Sequence, residues 1–152
     1  MTRPAAQQHS ATSSSFAAAR RHRAELLQTI QAFEAAVAVP ARDPRWREQV
    51  GERLRKLRDA FGEHIVVTEG PQGLYAELLD HAPRLTHGVG GLVREHASLM
   101  IDIDALAVRV SGGDVERLRR RANRLLRELG RHRQRGADLV YEAYATDIGG
   151  ET

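Results

Sequence analysis

Four histidines in this chain have the spacing of a buried site. His22, His64, His96 and His132 each fall on the apolar stripe of a different predicted helix. Because an apolar stripe faces the core, four such helices would direct their imidazole rings into one interior. A single histidine on a core face is more often a hydrogen-bonded structural residue, but four on four helices are not expected by accident. Since imidazole and carboxylate groups suit iron, zinc and manganese, the pattern predicts a metal site.

Four long segments with helical periodicity carry these histidines. They cover residues 15–38, 43–69, 83–110 and 115–145, and a short helix is predicted over residues 74–81 between the second and the third. Prolines, glycines and Asp114, a predicted N-cap, separate the segments, and no strand-like alternation competes with them. We therefore predict an all-α fold, an up-down-up-down four-helix bundle over residues 16–145. A disordered leader over residues 1–15 and a flexible tail over residues 146–152 would flank it.

Composition excludes several classes of protein. The chain of 152 residues has no cysteine, which excludes disulfides, thiolate zinc sites and cysteine nucleophiles and leaves His, Asp and Glu as strong metal ligands. No apolar run is long enough to span a bilayer, and residues 1–15 lack the apolar stretch of a secretion signal. We expect a cytoplasmic protein with no membrane partner. Lys56 is the only lysine among 23 basic residues, which indicates the codon bias of a GC-rich genome and, we expect, a bacterial source.

The fourth segment is rich in arginine, which raises the alternative of a nucleic-acid surface. The formal net charge of the chain is only +3, and the arginine run has neither a recognition motif nor interleaved aromatic residues. A solvated helix face is therefore favoured, and no nucleic-acid partner is expected.

The order of the histidine motifs resembles the hemerythrin-like, or HHE cation-binding, domains. The resemblance covers residues 19–144. It is carried by four elements, namely His22, Phe61-x-x-His64-x-x-x-x-Glu69, Leu92-x-x-Glu95-His96-x-x-Leu99 and Leu125-x-x-x-Leu129-x-x-His132. The third of these elements is the most typical of the family.

This resemblance implies both a fold and a use for the site. It implies a four-helix bundle that holds non-haem iron between all four helices, with a role in oxygen, redox or iron handling and dioxygen as a small ligand. The metal ligands would be His22, His64, Glu69, His96 and His132. Glu95 points about 100° away from His96, so we expect it to be a surface residue and not a hydrogen-bond partner of a metal ligand.

The chain departs from the family's pattern where bridging carboxylates are expected. After the histidine of the second helix, Thr68 occupies the fourth position, and Glu69 occupies the fifth and fits. After the histidine of the fourth helix, Gly136 occupies that place, and the nearest acid, Asp138, lies about 120° around the helix. Met100 occupies the position where oxygen-carrying members have a second histidine on the third helix.

These departures bear on the number of metal ions. Two iron ions held close together need anionic bridges to offset their repulsion, so the missing carboxylate argues against an oxygen-carrying di-iron centre. One divalent ion bound by imidazoles and Glu69 is compatible with the sequence. A metal-free bundle that serves as an interaction or regulatory module is equally compatible. The residues leave open whether the site holds one ion, two or none, whether Asp138 replaces the missing ligand, and whether the protein is an enzyme.

Overall fold

The computed structural model describes the backbone of residues 5–149 and the side chains of residues 17–145. Over this part of the chain the secondary structure is helical and contains no strand. Five helices follow one another, with a short 3-10 turn at Pro83–Leu85 before the fourth: α1 Ala5–Ala38, α2 Trp46–Glu69, α3 Leu74–His81, α4 Thr86–Arg109 and α5 Val115–Gly149. None of the helices described combines the length and the apolar character needed to cross a membrane.

The predicted all-α fold with four long helices is confirmed, and the short α3 lies over residues 74–81 as expected. The ends of the chain differ from the prediction. Helix α1 begins at Ala5, so residues 5–15 of the predicted disordered leader are helical, and α5 extends the predicted helix from residue 145 to Gly149. Alanine and glutamine at residues 5–8 favour a helix but have no apolar periodicity, so the apolar pattern alone predicts a helix that begins only at residue 15. Residues 1–4 and 150–152 of the predicted leader and tail lie outside the described residues.

Local interactions account for the turns between helices. The predicted N-cap of α5 is present, because Asp114 Oδ2 accepts a hydrogen bond of 3.1 Å from the Arg117 N–H. Helix α2 ends where the Gly70 N–H donates to the Val66 carbonyl at 3.0 Å. The turn that follows is tight, since a Cβ atom at Gly73 would lie 2.3 Å from the Val67 carbonyl oxygen. The glycine at residue 73 is therefore required for α3 to pack back against the end of α2.

The four long helices enclose the core through four neighbouring contacts, in which α1 packs on α2, α2 on α4, α4 on α5 and α5 on α1. Trp46 anchors one end of the core: its ring is 2% exposed and its Nε1–H donates to the Val37 carbonyl at 3.3 Å. The core is divided into two apolar clusters along the helices. The larger contains Phe61, Leu99 and Leu129, and the smaller gathers side chains of α3, α4 and α5, among them Leu92 and Leu139.

The boundary between these two clusters positions the site. His96 lies between Leu92 of the smaller cluster and Leu99 of the larger one along α4. His132 lies between Leu129 and Leu139 of the same two clusters along α5. Residues three, four or seven positions apart share a helix face, so the imidazoles point into the same interior as the leucines that flank them. The core thus has a polar layer between two apolar ones.

Candidate metal centre

Three of the four predicted histidines come together in this polar layer. They are His64 of α2, His96 of α4 and His132 of α5, which are 8%, 1% and 3% exposed. The ring centroids lie 5.0 Å apart for His64 and His96, 4.7 Å for His96 and His132, and 5.9 Å for His64 and His132. One ring nitrogen of each histidine lies within 4.8 Å of the other two. We call these three side chains the histidine cluster.

Phe61, a member of the larger apolar cluster, contacts all three rings of the histidine cluster. Its fully buried ring lies 5.8 Å from the ring of His64, 5.6 Å from His96 and 6.1 Å from His132, measured between centroids. Two of these contacts are edge-on, which directs a C–H edge of one ring towards the π-face of another. One aromatic side chain therefore sets the spacing of all three imidazoles.

Two carboxylates contact the cluster from its outer side. Glu69 Oε2 lies 2.6 Å from His96 Nδ1, and Glu95 Oε1 lies 3.1 Å from His132 Nδ1. Glu95 is held in turn by Arg135, whose Nε–H donates to Oε1 at 3.0 Å. A neutral imidazole that donates its Nδ1–H to a carboxylate keeps a lone pair on Nε2. The two carboxylates thus favour the tautomer in which Nε2 of His96 and of His132 can accept a proton, a hydrogen bond or a metal ion.

Tyr75 of α3 contacts the free nitrogen of His96. Its hydroxyl lies 3.2 Å from His96 Nε2, and the two rings stack with their centroids 5.7 Å apart. Burial raises the pKa of the Tyr75 hydroxyl above its usual value of 10.0, so it stays protonated and donates. His96 is therefore a donor to Glu69 on one side and an acceptor from Tyr75 on the other.

Burial keeps all three imidazoles neutral. Desolvation, reinforced by the proximity of His96 and His132, lowers the pKa of His64 from 6.5 to about 3. Desolvation and His132 lower the pKa of His96 to about 4, and desolvation also lowers the pKa of His132 although Glu95 opposes it. A neutral His96 is compatible with its short contact to Glu69, because the neutral ring still has one N–H to donate. At pH 7 the cluster offers three uncharged nitrogen donors.

The other two predicted ligands, His22 and Glu69, are not members of the histidine cluster. His22 of α1 is 30% exposed and belongs to a second group with Glu25 and Glu63, although it is near enough to contribute to the lowered pKa of His64. Sharing an apolar stripe does not place two side chains at one depth, and Leu26, one turn further along α1, is only 2% exposed. Glu69 is present at the site, but it contacts the outer nitrogen of His96 and is not one of the clustered ligand groups.

Sequence reasoning missed two of the residues that contact the cluster. Glu95 was expected at the surface, yet its side chain is only 22% exposed and reaches His132 on the neighbouring helix. The adjacent positions of Glu95 and His96 explain this, because Glu95 is directed to His132 of α5 and His96 to Glu69 of α2. Tyr75 belongs to the short α3, whose length and apolar pattern gave no signal that it would reach a histidine 21 residues away.

The structure also shows the positions that follow the histidines of α2 and α5 by four or more residues. A Cβ atom built on Gly136 would meet no other atom within 4 Å, and the residue lines a cavity of about 160 Å³ beside His64 and His132. Asp138 is exposed and accepts a hydrogen bond of 2.8 Å from Gln134 instead of pointing to the cluster. The Thr68 hydroxyl donates to the His64 carbonyl at 2.7 Å. No carboxylate lines this cavity among the residues described.

The donor set fits one divalent ion. Zinc and similar ions bind imidazole nitrogen at about 2.0–2.1 Å, which separates the nitrogens of a tetrahedral site by roughly 3.4 Å. The clustered nitrogens, at up to 4.8 Å, would have to approach by about 1.4 Å, a shift within the reach of side-chain rotation. A second ion would need bridging anions, whereas the two nearby carboxylates are directed at Nδ1 atoms.

Comparison of the chain with models of known protein families, with curated proteins and with solved structures found no significant match to any of them. The histidine cluster is therefore the observation from which a function can be inferred.

Proposed function

We propose that the protein binds one divalent metal ion through the three imidazoles of the histidine cluster. The observation that carries the proposal is the convergence of three buried, neutral rings whose nitrogens lie within 4.8 Å of one another. Two of these rings have a carboxylate on the opposite nitrogen, an arrangement that orients histidine ligands in many metal sites. Glu69 and Glu95 would act on the metal through His96 and His132.

The hydrogen bonding of His64 supports this proposal. Over the described part of the chain neither of its ring nitrogens has a hydrogen-bond partner. His64 lines a cavity of about 160 Å³, so its ring is accessible to a ligand from that side. A structural histidine is expected to have a partner, whereas a metal ligand receives one when the ion binds.

The wider proposal concerns the fold and its use. We infer an up-down-up-down four-helix bundle of the hemerythrin-like kind, because short turns join α1 to α2 and α4 to α5, while α3 and the 3-10 turn connect α2 to α4. In this bundle a single non-haem iron ion would take the place of the family's iron pair, in a cytoplasmic protein for oxygen, redox or iron handling. Iron suits three imidazoles with an open position, which dioxygen or another small ligand would occupy.

A second candidate function is a metal-free bundle that acts as an interaction or regulatory module. One observation favours it: the Tyr75 hydroxyl already donates to Nε2 of His96, the atom that would bind the ion. In this alternative the histidines are structural hydrogen-bonding groups. Tyr75 and the metal would compete for the same lone pair, so the two functions predict opposite effects of removing the hydroxyl.

The test is the metal content of untagged protein, measured by elemental analysis before and after anaerobic loading with ferrous iron and, separately, with zinc. We expect about one ion per chain in the wild type. His64→Gln and His132→Gln should abolish stoichiometric binding, whereas His22→Gln should retain it. Helical content, measured by circular dichroism, shows that each variant is folded.

Three outcomes would contradict the proposal. Substoichiometric metal in the wild type with both ions would favour the metal-free module. Equal binding in the wild type and in His64→Gln would show that the ion lies elsewhere, with the group of His22, Glu25 and Glu63 as the next candidate. Two ions per chain would show that carboxylates turn inward when metal is present.

A further inference from the structure

A cavity of about 160 Å³ lies beside the histidine cluster and has walls of two kinds. One wall is aliphatic and is formed by Leu26 of α1, Leu74 and Leu78 of α3, and Val140 of α5. The other wall contains His64 and His132 of the cluster. Gly136 also lines the cavity, and no atom lies within 4 Å of the point where its Cβ would be. The cavity is therefore amphipathic, and it borders the histidine cluster through His64 and His132.

The charges around this cavity have one sign. Arg23 and Arg133 line it, and no aspartate or glutamate does so among the residues described. Neither arginine has an ion-pair partner within that part of the chain. Two uncompensated guanidinium groups beside an apolar space attract an anion, and a planar carboxylate matches their geometry best.

His64 adds a hydrogen-bond donor to the same wall. A neutral imidazole has one N–H, and in the described structure that of His64 has no acceptor. The Thr68 and Tyr75 hydroxyls also line the cavity, but their protons are already used, since Thr68 donates to the His64 carbonyl and Tyr75 donates to Nε2 of His96. The polar wall thus has one free donor and two cations, which is the complement of a single carboxylate.

The volume sets the size of the ligand. A water molecule in the liquid occupies about 30 Å³, so the cavity has room for about five waters, or a ligand of roughly four to six heavy atoms. The aliphatic wall favours a hydrocarbon tail over a phosphate or sulfate, whose oxygens would be left without partners there. We propose that this cavity binds a short-chain aliphatic monocarboxylate of three or four carbons. The tail lies against Leu26, Leu74 and Leu78, and the carboxylate faces the arginines and His64.

The test uses the full-length, metal-free protein, because binding at this cavity does not require a metal. Butyrate is titrated and followed by calorimetry and by chemical-shift changes in heteronuclear NMR spectra, with 1-butanol and butylamine as uncharged and cationic probes of the same length. We expect saturable butyrate binding at one site and at least tenfold weaker binding of both other probes. Arg23→Gln and Arg133→Gln should each weaken butyrate binding at least threefold, while Arg127→Gln, at an exposed position of α5, should not.

A cavity-filling variant localises the binding. Gly136→Leu places a side chain in the cavity and should reduce butyrate affinity at least tenfold. Gly130→Leu is its matched control, because Gly130 lies on the same helix, is exposed and has equal space for a side chain. Absent butyrate binding, or affinities that are equal in Gly136→Leu and Gly130→Leu, would overturn the inference. Since these measurements contain no metal, a failure of metal binding by the histidine cluster would leave their outcome unchanged.

Discussion

Oε2 of Glu69 lies 2.6 Å from Nδ1 of His96, and this contact joins the last residue of α2 to the buried middle of α4. The carboxylate fixes the ring in the tautomer whose N–H points outward, so Nε2 turns to the interior. The same relationship recurs at 3.1 Å between Glu95 and His132 on the next pair of helices. Glu69, which the sequence predicted as a metal ligand, thus contacts another predicted ligand, His96, in this structure.

The outer carboxylates should control the affinity for metal. We expect Glu95→Gln to lower metal affinity by about 10–100-fold while one ion per chain still binds, because the amide no longer stabilises His132 as a ligand. The measurement is a competition titration with a chelator of known affinity. Glu52→Gln is the control, since Glu52 pairs with Lys56 on the surface of α2. Equal affinities in Glu95→Gln and Glu52→Gln would show that the contact with His132 has no part in binding.

The histidine cluster should also make the metal-free protein sensitive to acid. In the unfolded chain each histidine takes up a proton near pH 6.5, whereas folding lowers the pKa of His64 to about 3 and that of His96 to about 4. The unfolded state therefore binds more protons below pH 6.5, and stability that is complete above that pH is lost as the pH falls. Between pH 6 and pH 5 the free energy of unfolding should fall by about 1 kcal/mol for each of these two histidines.

Urea denaturation at pH 7.5, 6, 5.5 and 5 measures this dependence. His64→Leu should flatten the slope between pH 6 and pH 5 by the contribution of one histidine, which is about 1 kcal/mol per pH unit. His87→Gln changes a histidine in an exposed position of α4 and should keep the wild-type slope. The same slope in His64→Leu and in the wild type would mean that His64 is protonated in the folded protein.

Phe61 should be needed for both stability and the spacing of the cluster. Its ring is fully buried and contacts all three imidazoles, so Phe61→Ala would leave a cavity and cost about 3–5 kcal/mol of unfolding free energy. Val66→Ala, on the same helix at 71% exposure, should change it by no more than about 0.5 kcal/mol. Thermal and urea denaturation compare the two variants. A small effect of Phe61→Ala would show that the rings of the cluster collapse into the space.

The helices and the three meeting histidines could be predicted from the sequence because both depend on local periodicity. His64, His96 and His132 sit among leucines at helical spacing, so burial of the leucines carries the imidazoles inward. His22 shows the limit of this argument. Periodicity predicts which face of α1 is buried. How deeply His22 lies in the core depends on the packing of α1 against α2, which no local pattern specifies.

The contacts of Glu95 and Tyr75 depend on similar long-range information. Glu95 contacts His132, which is 37 residues further along the chain. Because Glu95 lies outside the apolar stripe of its helix, the sequence pattern predicts a surface position for it. Only the packing of α4 against α5 brings its carboxylate to the ring. The arginine-rich pattern of α5 suggested a solvated face, yet Arg135 of that face holds Glu95 in place. Charge patterns along one helix could not identify this partner.

Removal of the Tyr75 hydroxyl distinguishes the two proposed functions. In the wild type a metal must displace the hydrogen bond that Tyr75 donates to Nε2 of His96 at 3.2 Å. Such a bond contributes about 0.5–1.5 kcal/mol, so Tyr75→Phe should raise metal affinity roughly two- to tenfold. The metal-free protein should be destabilised by a similar amount, because His96 loses an internal partner. Titration calorimetry with zinc and urea denaturation of the metal-free protein measure the two effects.

Tyr141→Phe is the matched control, since Tyr141 is 75% exposed on α5 and should change neither quantity. The two effects of Tyr75→Phe have opposite signs only if one lone pair serves both the tyrosine and the ion. If Tyr75→Phe destabilises the protein and zinc binds to neither form, the hydrogen bond is structural and the metal-free module is the function that stands. If zinc binds both forms with the same affinity, Nε2 of His96 is not a ligand, and the ion must be held by His64 and His132 with a donor from outside the cluster.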